Sequence, residues 1–299
     1  MRERLGLVAI AALVVVNMIL IPLAFRNAQG PTDQKTVQVP ATSPRPEEPE
    51  SSVARTPPAK SSQQTREGAP LLMSSGGRII LSSPRGNCTD GPRPSVRLST
   101  DRGRTFRTLK LNPRPTAVLA LEVVGSESLL VIGADERCRP LGYESRDQGR
   151  SWEEVDVEGR WHLPGDPDQR QVASPNGDMD VPCRPSGLSS VRNDIARVLC
   201  PDGRILRTED DDKWAVTAST PGAVAIRFPA PDVGFALAAR GSCPATVLRS
   251  TNGGKKWERL TCLQGDDPRG ISGQDGSYAA IVDDEVHVSK DQGETWRSP

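Results

Sequence analysis

One short phrase, written five times, constrains this chain more than anything else in it. Four copies are nearly complete: Ser99-Thr100-Asp101-Arg102-Gly103-Arg104-Thr105-Phe106, Ser145-Arg146-Asp147-Gln148-Gly149-Arg150-Ser151-Trp152, Ser250-Thr251-Asn252-Gly253-Gly254-Lys255-Lys256-Trp257 and Ser289-Lys290-Asp291-Gln292-Gly293-Glu294-Thr295-Trp296. The fifth, Thr208-Glu209-Asp210-Asp211-Asp212-Lys213-Trp214, lacks the glycine and is one residue short. The copies begin at 99, 145, 208, 250 and 289, giving intervals of 46, 63, 42 and 39 residues. A period of about 40–45 residues marks one supersecondary unit repeated, and a four-stranded propeller blade has that length. The residue types suit a turn. Asp or Asn bonds backbone N–H groups just ahead of it, Gly supplies a positive φ, and the closing aromatic packs a large apolar area.

The residues around each copy predict strands. Before the copies stand Val96-Arg97-Leu98, Gly142-Tyr143-Glu144, Ile205-Leu206-Arg207, Val247-Leu248-Arg249 and Val286-His287-Val288. Further upstream are apolar runs fit for buried strands: Ile79–Leu81, Leu129–Ile132, Ala196–Leu199, Phe235–Ala238 and Tyr278–Val282. Turn residues separate the runs, and no helical periodicity follows residue 30. We therefore expect an all-β chain, a β-propeller of five four-stranded blades over 70–299. The 63-residue interval exceeds its neighbours by too little for another blade, so 159–182 reads as an insertion. Ring closure is open. Either residues near 66–74 complete the last blade, or the ring closes imperfectly.

The phrase resembles the Asp-box, or BNR repeat, Ser/Thr-x-Asp-x-Gly-x-Thr/Ser-Trp/Phe, of sialidases, sortilin-type receptors and photosystem II assembly factors. The resemblance implies that each box is the turn between the third and fourth strands of a blade. It also implies structural roles for Asp101, Gly103, Phe106, Asp147, Gly149, Trp152, Asp210, Trp214, Asn252, Gly254, Trp257, Asp291, Gly293 and Trp296. Sialidases clasp their substrate with an arginine triad, use a tyrosine paired to a glutamate, and carry an Arg-Ile-Pro-like motif ahead of the boxes. Here the tyrosines are Tyr143 and Tyr278, both explained by strand packing, and Arg227-Phe228-Pro229 follows three boxes. We expect boxes without a sialidase active site and assign no catalytic residue.

Six cysteines, Cys88, Cys138, Cys183, Cys200, Cys243 and Cys262, all lie beyond the one long apolar segment, which reads as disulfides in an exported domain. The propeller expectation favours the sequential set 88–138, 183–200 and 243–262. No Cys-x-x-Cys spacing argues for zinc, and Asp178-Met179-Asp180 and Asp210-Asp211-Asp212 read as solvated turns, so no metal site or cofactor is expected. Residues 5–25 carry no charge, long enough to span a bilayer core, and Arg2 and Arg4 precede them, favouring a cytoplasmic amino terminus. A cleaved signal peptide is the competing reading; Arg26 at the −3 position of Ala28 argues against it. We divide the chain into a cytoplasmic stub and transmembrane signal anchor (1–26), a Pro/Ser-rich disordered linker (27–69) and the propeller (70–299).

Basic and acidic residues balance at 38 each, without a dominant block, which argues against a nucleic-acid partner. Arginine greatly outnumbers lysine, which reads as codon composition rather than a site. The candidate binding residues are Trp161 and His162 of the insertion, expected to share a face with Arg137, Arg139 and Arg240. An exposed Trp beside arginines is typical of an interface hot spot; the alternative is a loop that buries Trp161 as a plug. The expected function is a single-pass plasma-membrane protein whose propeller, extracellular or periplasmic, serves as a protein-binding or assembly module at the bacterial cell surface. The alternative is a glycan-active hydrolase or lyase.

Overall fold

Apolar runs alternating with Gly- and Asp-rich turns can bury their side chains by stacking up-and-down antiparallel sheets face to face. The computed structural model describes residues 70–89, 91–209 and 213–299, and every sheet in it is antiparallel and built from consecutive strands. Blade 1 comprises β1 (Leu71–Ser75), β2 (Arg78–Ser82), β3 (Val96–Ser99) and β4 (Arg107–Thr108). Blade 2 comprises β5 (Ala117–Val124), β6 (Ser128–Ala134), β7 (Pro140–Ser145) and β8 (Glu153–Val155). A separate hairpin follows, β9 (Gln171–Ser174) with β10 (Gly177–Asp180). Blade 3 is β11 (Gly187–Arg192), β12 (Ile195–Leu199), β13 (Arg204–Glu209) and β14 (Ala215–Ser219). Blade 4 is β15 (Ala223–Arg227), β16 (Gly234–Arg240), β17 (Cys243–Ser250) and β18 (Glu258–Leu263). Blade 5 has β19 (Pro268–Gln274), β20 (Ser277–Val282) and β21 (Glu285–Ser289). The chain is a five-bladed β-propeller.

The apolar runs read from the sequence are the second strands, and the residues ahead of each repeated phrase belong to the third. Each blade begins at the axis and steps outward. First-to-second and third-to-fourth strand turns therefore share one face, here the lower. Second-to-third turns and interblade links share the upper.

The ring closes through side chains. β1 packs against β19; Ser74 N–H donates to Ser272 Oγ (3.3 Å), Ser75 Oγ to Asp275 Oδ2 (3.0 Å), and Gly77 N–H to Ser277 Oγ (3.3 Å). Residues 71–75 thus open blade 1 and do not complete blade 5. The fourth strand of blade 5 is reduced to a two-way bridge between Val288 and Arg297 (2.8 and 3.1 Å).

Four of the five seams join blades directly through apolar clusters, such as Met73, Ile80 and Leu98 of blade 1 with Val118, Leu121 and Val131 of blade 2. Blades 2 and 3 are different. The insertion lies between them, with its 161–163 stretch bridged through His162 to Ala173 of β9. Trp161, Leu163, Val172 and Val181 cover Ala196, Val198 and Leu206 of blade 3. On the other side Leu163 N–H reaches Leu119 O of β5 (3.5 Å) and Arg160 pairs with Glu122 (3.5 Å). The extra residues form a wedge in the ring.

All six cysteines are paired as 88–138, 183–200 and 243–262. Arginines hold successive blades together. Arg85 Nε donates to Val118 O (2.8 Å), Arg197 Nη2 to Pro231 O (2.5 Å), Arg227 Nη2 to Gln274 Oε1 (3.1 Å), and Arg78 and Arg107 to the carbonyls of Gly125 and Gln148. Arg197 is fully buried, its guanidinium 4.1 Å from the Phe228 ring centroid. Burial lowers its pKa to about 10, which leaves it charged at neutral pH.

Among the described residues no helix is long and apolar enough to cross a membrane. The anchor expected over 5–25 and the linker to residue 69 lie outside the described residues, as do Asp210, Asp211 and Asp212.

Candidate functional site

The repeated phrase makes the same turn four times. In blade 2, Ser145 Oγ accepts from Gly149 N–H (2.6 Å) and donates to Asp147 Oδ1 (2.8 Å). Asp147 Oδ1 also accepts from Ser151 N–H (2.9 Å) and Oδ2 from the Ser151 hydroxyl (2.6 Å). Ser99 and Asp101, Ser250 and Asn252, and Ser289 and Asp291 repeat the pattern. Glycine is needed at the fifth position: Gly149 has φ 81°, and a Cβ there would lie 2.8 Å from Leu109 Cδ2 of blade 1. The sequence did not show that the fourth position is left-handed too, at Arg102, Gln148, Gly253 and Gln292. In three blades this aims its N–H at a neighbouring lower-face turn, Arg102 to Gly77 O, Gln148 to Glu127 O and Gly253 to Asp232 O.

The closing aromatics Phe106, Trp152, Trp214, Trp257 and Trp296 are half-buried at these turns. Trp257 meets Phe228 edge-on at 5.8 Å, and Trp296 Nε1 donates to Gly293 O (2.8 Å). Replacing Ser145 with alanine is expected to cost about 1–3 kcal/mol, because the buried Gly149 N–H loses its acceptor; chemical denaturation measures it, and an unchanged midpoint would refute the role.

The turn carboxylates are acidified by the bonds they accept. Thr105 hydroxyl and N–H bonds hold Asp101 at about 2, and those of Thr295 do the same for Asp291. The Ser151 bonds depress Asp147 likewise. The native pKa lies below the ordinary aspartate value of about 3.9, so this stabilisation is complete above about pH 4 and is lost as pH falls through about 2. Asp101→Asn, imitating Asn252 of blade 4, is expected to remove part of that acid-limb dependence. An acid titration followed by tryptophan fluorescence tests this, and an unchanged limb would refute it.

At the axis, Met73, Leu121, Leu188, Ile226 and Ile271 of the inner strands meet Trp161 and Leu163 of the wedge. The channel between them holds only about 80 Å³, well below the roughly 300–1,000 Å³ of small-molecule sites. Among the described residues no three His, Cys, Asp or Glu side chains group in a way that could hold a metal ion.

The candidate binding residues do not share a face. Arg137 and Arg139 lie in the β6–β7 turn and Arg240 at the β16–β17 turn, all exposed on the upper side. Arg139 is folded back onto Asp135 (2.6 Å). Trp161 is only 5% exposed, and its Nε1 donates to Asn193 O (3.0 Å) of the β11–β12 turn on the lower side. Its ring meets Trp214 edge-on at 6.2 Å. The plug alternative therefore describes Trp161, and the exposed hot spot does not. His162 is buried as well, Nδ1 donating to Leu163 O (3.1 Å), and burial pushes its imidazole below the ordinary value. The cause is physical: the insertion turns its few large apolar side chains, Trp161, Leu163, Val172 and Val181, onto the face of blade 3 that lacks a direct neighbouring blade.

A groove of about 300 Å³ opens between blades 5 and 1, beside the bridge between Val288 and Arg297. Leu81, Phe106 and Val286 form its apolar wall, with Arg97 among them and Asp284 and Glu285 at its upper end.

No family model matches the chain, and no curated protein matches it. Among solved structures it is similar to YCF48 bound to D1 peptide, at 13% identity over 74% of this chain and 74% of that one, with a TM-score of 0.40. It is also similar to a GH74 xyloglucanase from Xanthomonas campestris, at 14% identity over 78% of this chain and 46% of that one, with a TM-score of 0.43.

Proposed function

We propose that this chain is an Asp-box propeller anchored in a bacterial plasma membrane by one helix, its amino terminus cytoplasmic and its propeller extracellular or periplasmic. There it acts as a protein-binding or assembly module. The observation that carries the reading is where the molecule has room. The axis, where a propeller would hold a small ligand, is filled by the wedge to about 80 Å³, while the rim opens a groove several times larger at the first-to-last seam. Sites on a rim suit extended partners better than enclosed small molecules. The box reading is supported by the recurrence of one hydrogen-bonded turn between third and fourth strands. Three disulfides support an oxidising compartment.

In-cell crosslinking of the full-length protein, followed by purification and mass spectrometry, tests the role. One reproducible protein partner is expected. Recovery of glycan without protein would overturn the reading in favour of the glycan-active alternative. Labelling of thiols in the denatured, unreduced protein tests the compartment; no free thiol is expected, and six would refute export.

A further inference from the structure

The third position of the repeated phrase is asparagine in blade 4, where Ser250-Thr251-Asn252-Gly253 opens the turn. The wedge carries the same opening once more, Ser174-Pro175-Asn176-Gly177, at the turn from β9 to β10. The likeness extends to geometry. Ser174 is buried and its Oγ accepts from Asn176 N–H (3.2 Å), as Ser250 Oγ does from Asn252 N–H and Ser145 Oγ from Asp147 N–H (3.4 Å each). There the phrase stops. β10 starts at Gly177 and carries Asp180, four places beyond Asn176, to a position opposite Gln171, about 10 Å along the strand.

These are the two Asn-Gly steps of the chain, and their turns hold them differently. In blade 4, Asn252 Oδ1 accepts from the Ser250 hydroxyl (3.0 Å) and from Lys256 N–H (2.8 Å). Gly253 is buried, its N–H donates to Asp232 O (2.8 Å), and a Cβ on it would lie 3.3 Å from Arg197 Nη2 and from Pro231 O. In the wedge, Asn176 and Gly177 are both exposed, Gly177 has φ 117°, and a Cβ on it would meet nothing within 4 Å. Gly177 and Ser174 are the end pair of a two-stranded hairpin, where a ladder opens first.

We propose that Asn176 is a modification site, at which the chain deamidates without an enzyme and so loosens its own wedge. The Gly177 backbone nitrogen, unshielded by a side chain, attacks Cγ of Asn176. The N–Cγ bond forms as the Cγ–Nδ2 bond breaks, and ammonia leaves with the proton from Gly177, so that a five-membered succinimide remains. Water then opens the ring at either carbonyl and leaves aspartate or iso-aspartate. Iso-aspartate lengthens the main chain of the turn by one carbon. Either product adds a carboxylate to a hairpin that already exposes Asp178 and Asp180, and like charges so close repel. The disturbance reaches the ring through β9, because Ala173 is bridged to His162, next to the buried Trp161.

The test is incubation of the full-length protein in detergent, followed by peptide mapping with mass spectrometry, which reads the replacement of the amide by an acid. Asn176 is expected to convert at least about tenfold faster than Asn252, which reacts only through local opening of its turn. Conversion is expected to accelerate as pH rises, since the attacking nitrogen must lose its proton. In urea, where neither turn exists, the two steps are expected to convert at similar rates. Asn176→Gln, whose longer side chain closes a six-membered ring poorly, is expected to stay intact and to keep its urea midpoint after incubation, while the incubated native chain unfolds at lower urea. The site is overturned if Asn176 remains an amide while the urea sample converts, or if Asn252 converts as fast in the folded protein. Equal midpoints for incubated native chain and incubated Asn176→Gln would overturn the loosening of the wedge.

Discussion

Trp161→Ala is expected to destabilise the propeller by about 3–5 kcal/mol, the cost of truncating a large buried aromatic. Three losses add up there. The indole is almost wholly buried between blade 3 and the wedge. Its edge contact with Trp214 disappears, and Asn193 O loses its donor. For a domain of this size each kcal/mol moves the melting temperature by about 2–4 °C. Trp161→Phe, which keeps most of the packing, should lose clearly less. A midpoint shift below about 1 kcal/mol in urea would mean that the wedge is peripheral and that blades 2 and 3 hold together without it. The same experiment separates plug from interface: a plug residue lowers stability whether or not a partner is present, whereas an exposed anchor would lower binding alone.

The second strand of every blade was legible because it is buried on both faces, leaving continuous runs such as Leu129–Ile132 and Ala196–Leu199, and the third because it leads directly into a copy of the repeated phrase. The first strands were not. β11 reads Gly-Leu-Ser-Ser-Val-Arg and β19 reads Pro-Arg-Gly-Ile-Ser-Gly-Gln. In both, Gly, Ser and Arg interrupt the apolar positions, so the pattern resembles a loop. The insertion was recognisable from spacing alone, but its place in the ring was not, because a surface loop and an interblade wedge occupy the same stretch of sequence. The bonds that arginines make between blades were not legible in the sequence. Arg85, Arg197 and Arg227 reach backbone carbonyls and an amide of other blades, contacts that depend on the ring and leave no local mark. The seam groove was hidden for the same reason. Its lining runs from Leu81 to Pro299, and only ring closure brings the first and last blades together.

Removing the disulfides one at a time should reveal a hierarchy that follows the chain each one encloses. In the loop-entropy account, a longer enclosed segment restricts the unfolded chain more. Cys88–Cys138 spans 50 residues, against 17 for Cys183–Cys200 and 19 for Cys243–Cys262. Double replacement by alanine is therefore expected to cost about 4 kcal/mol for the first and about 3 for each of the others. Position supports the ranking: Cys88–Cys138 ties the β2–β3 loop of blade 1 to the β6–β7 turn of blade 2, whereas Cys243–Cys262 lies within blade 4. Cys183–Cys200 is a different case, because it clamps the end of the wedge to the β12–β13 turn beside the Trp161 cluster. Its loss should not add simply to that of Trp161→Ala, since neighbours sharing one cluster couple. Urea titrations of the three pairs and of the combined variant decide the matter. Equal costs for all three would reject the loop-entropy ranking. Strict additivity with Trp161→Ala would show that the bridge and the indole hold separate parts of the ring rather than a single wedge.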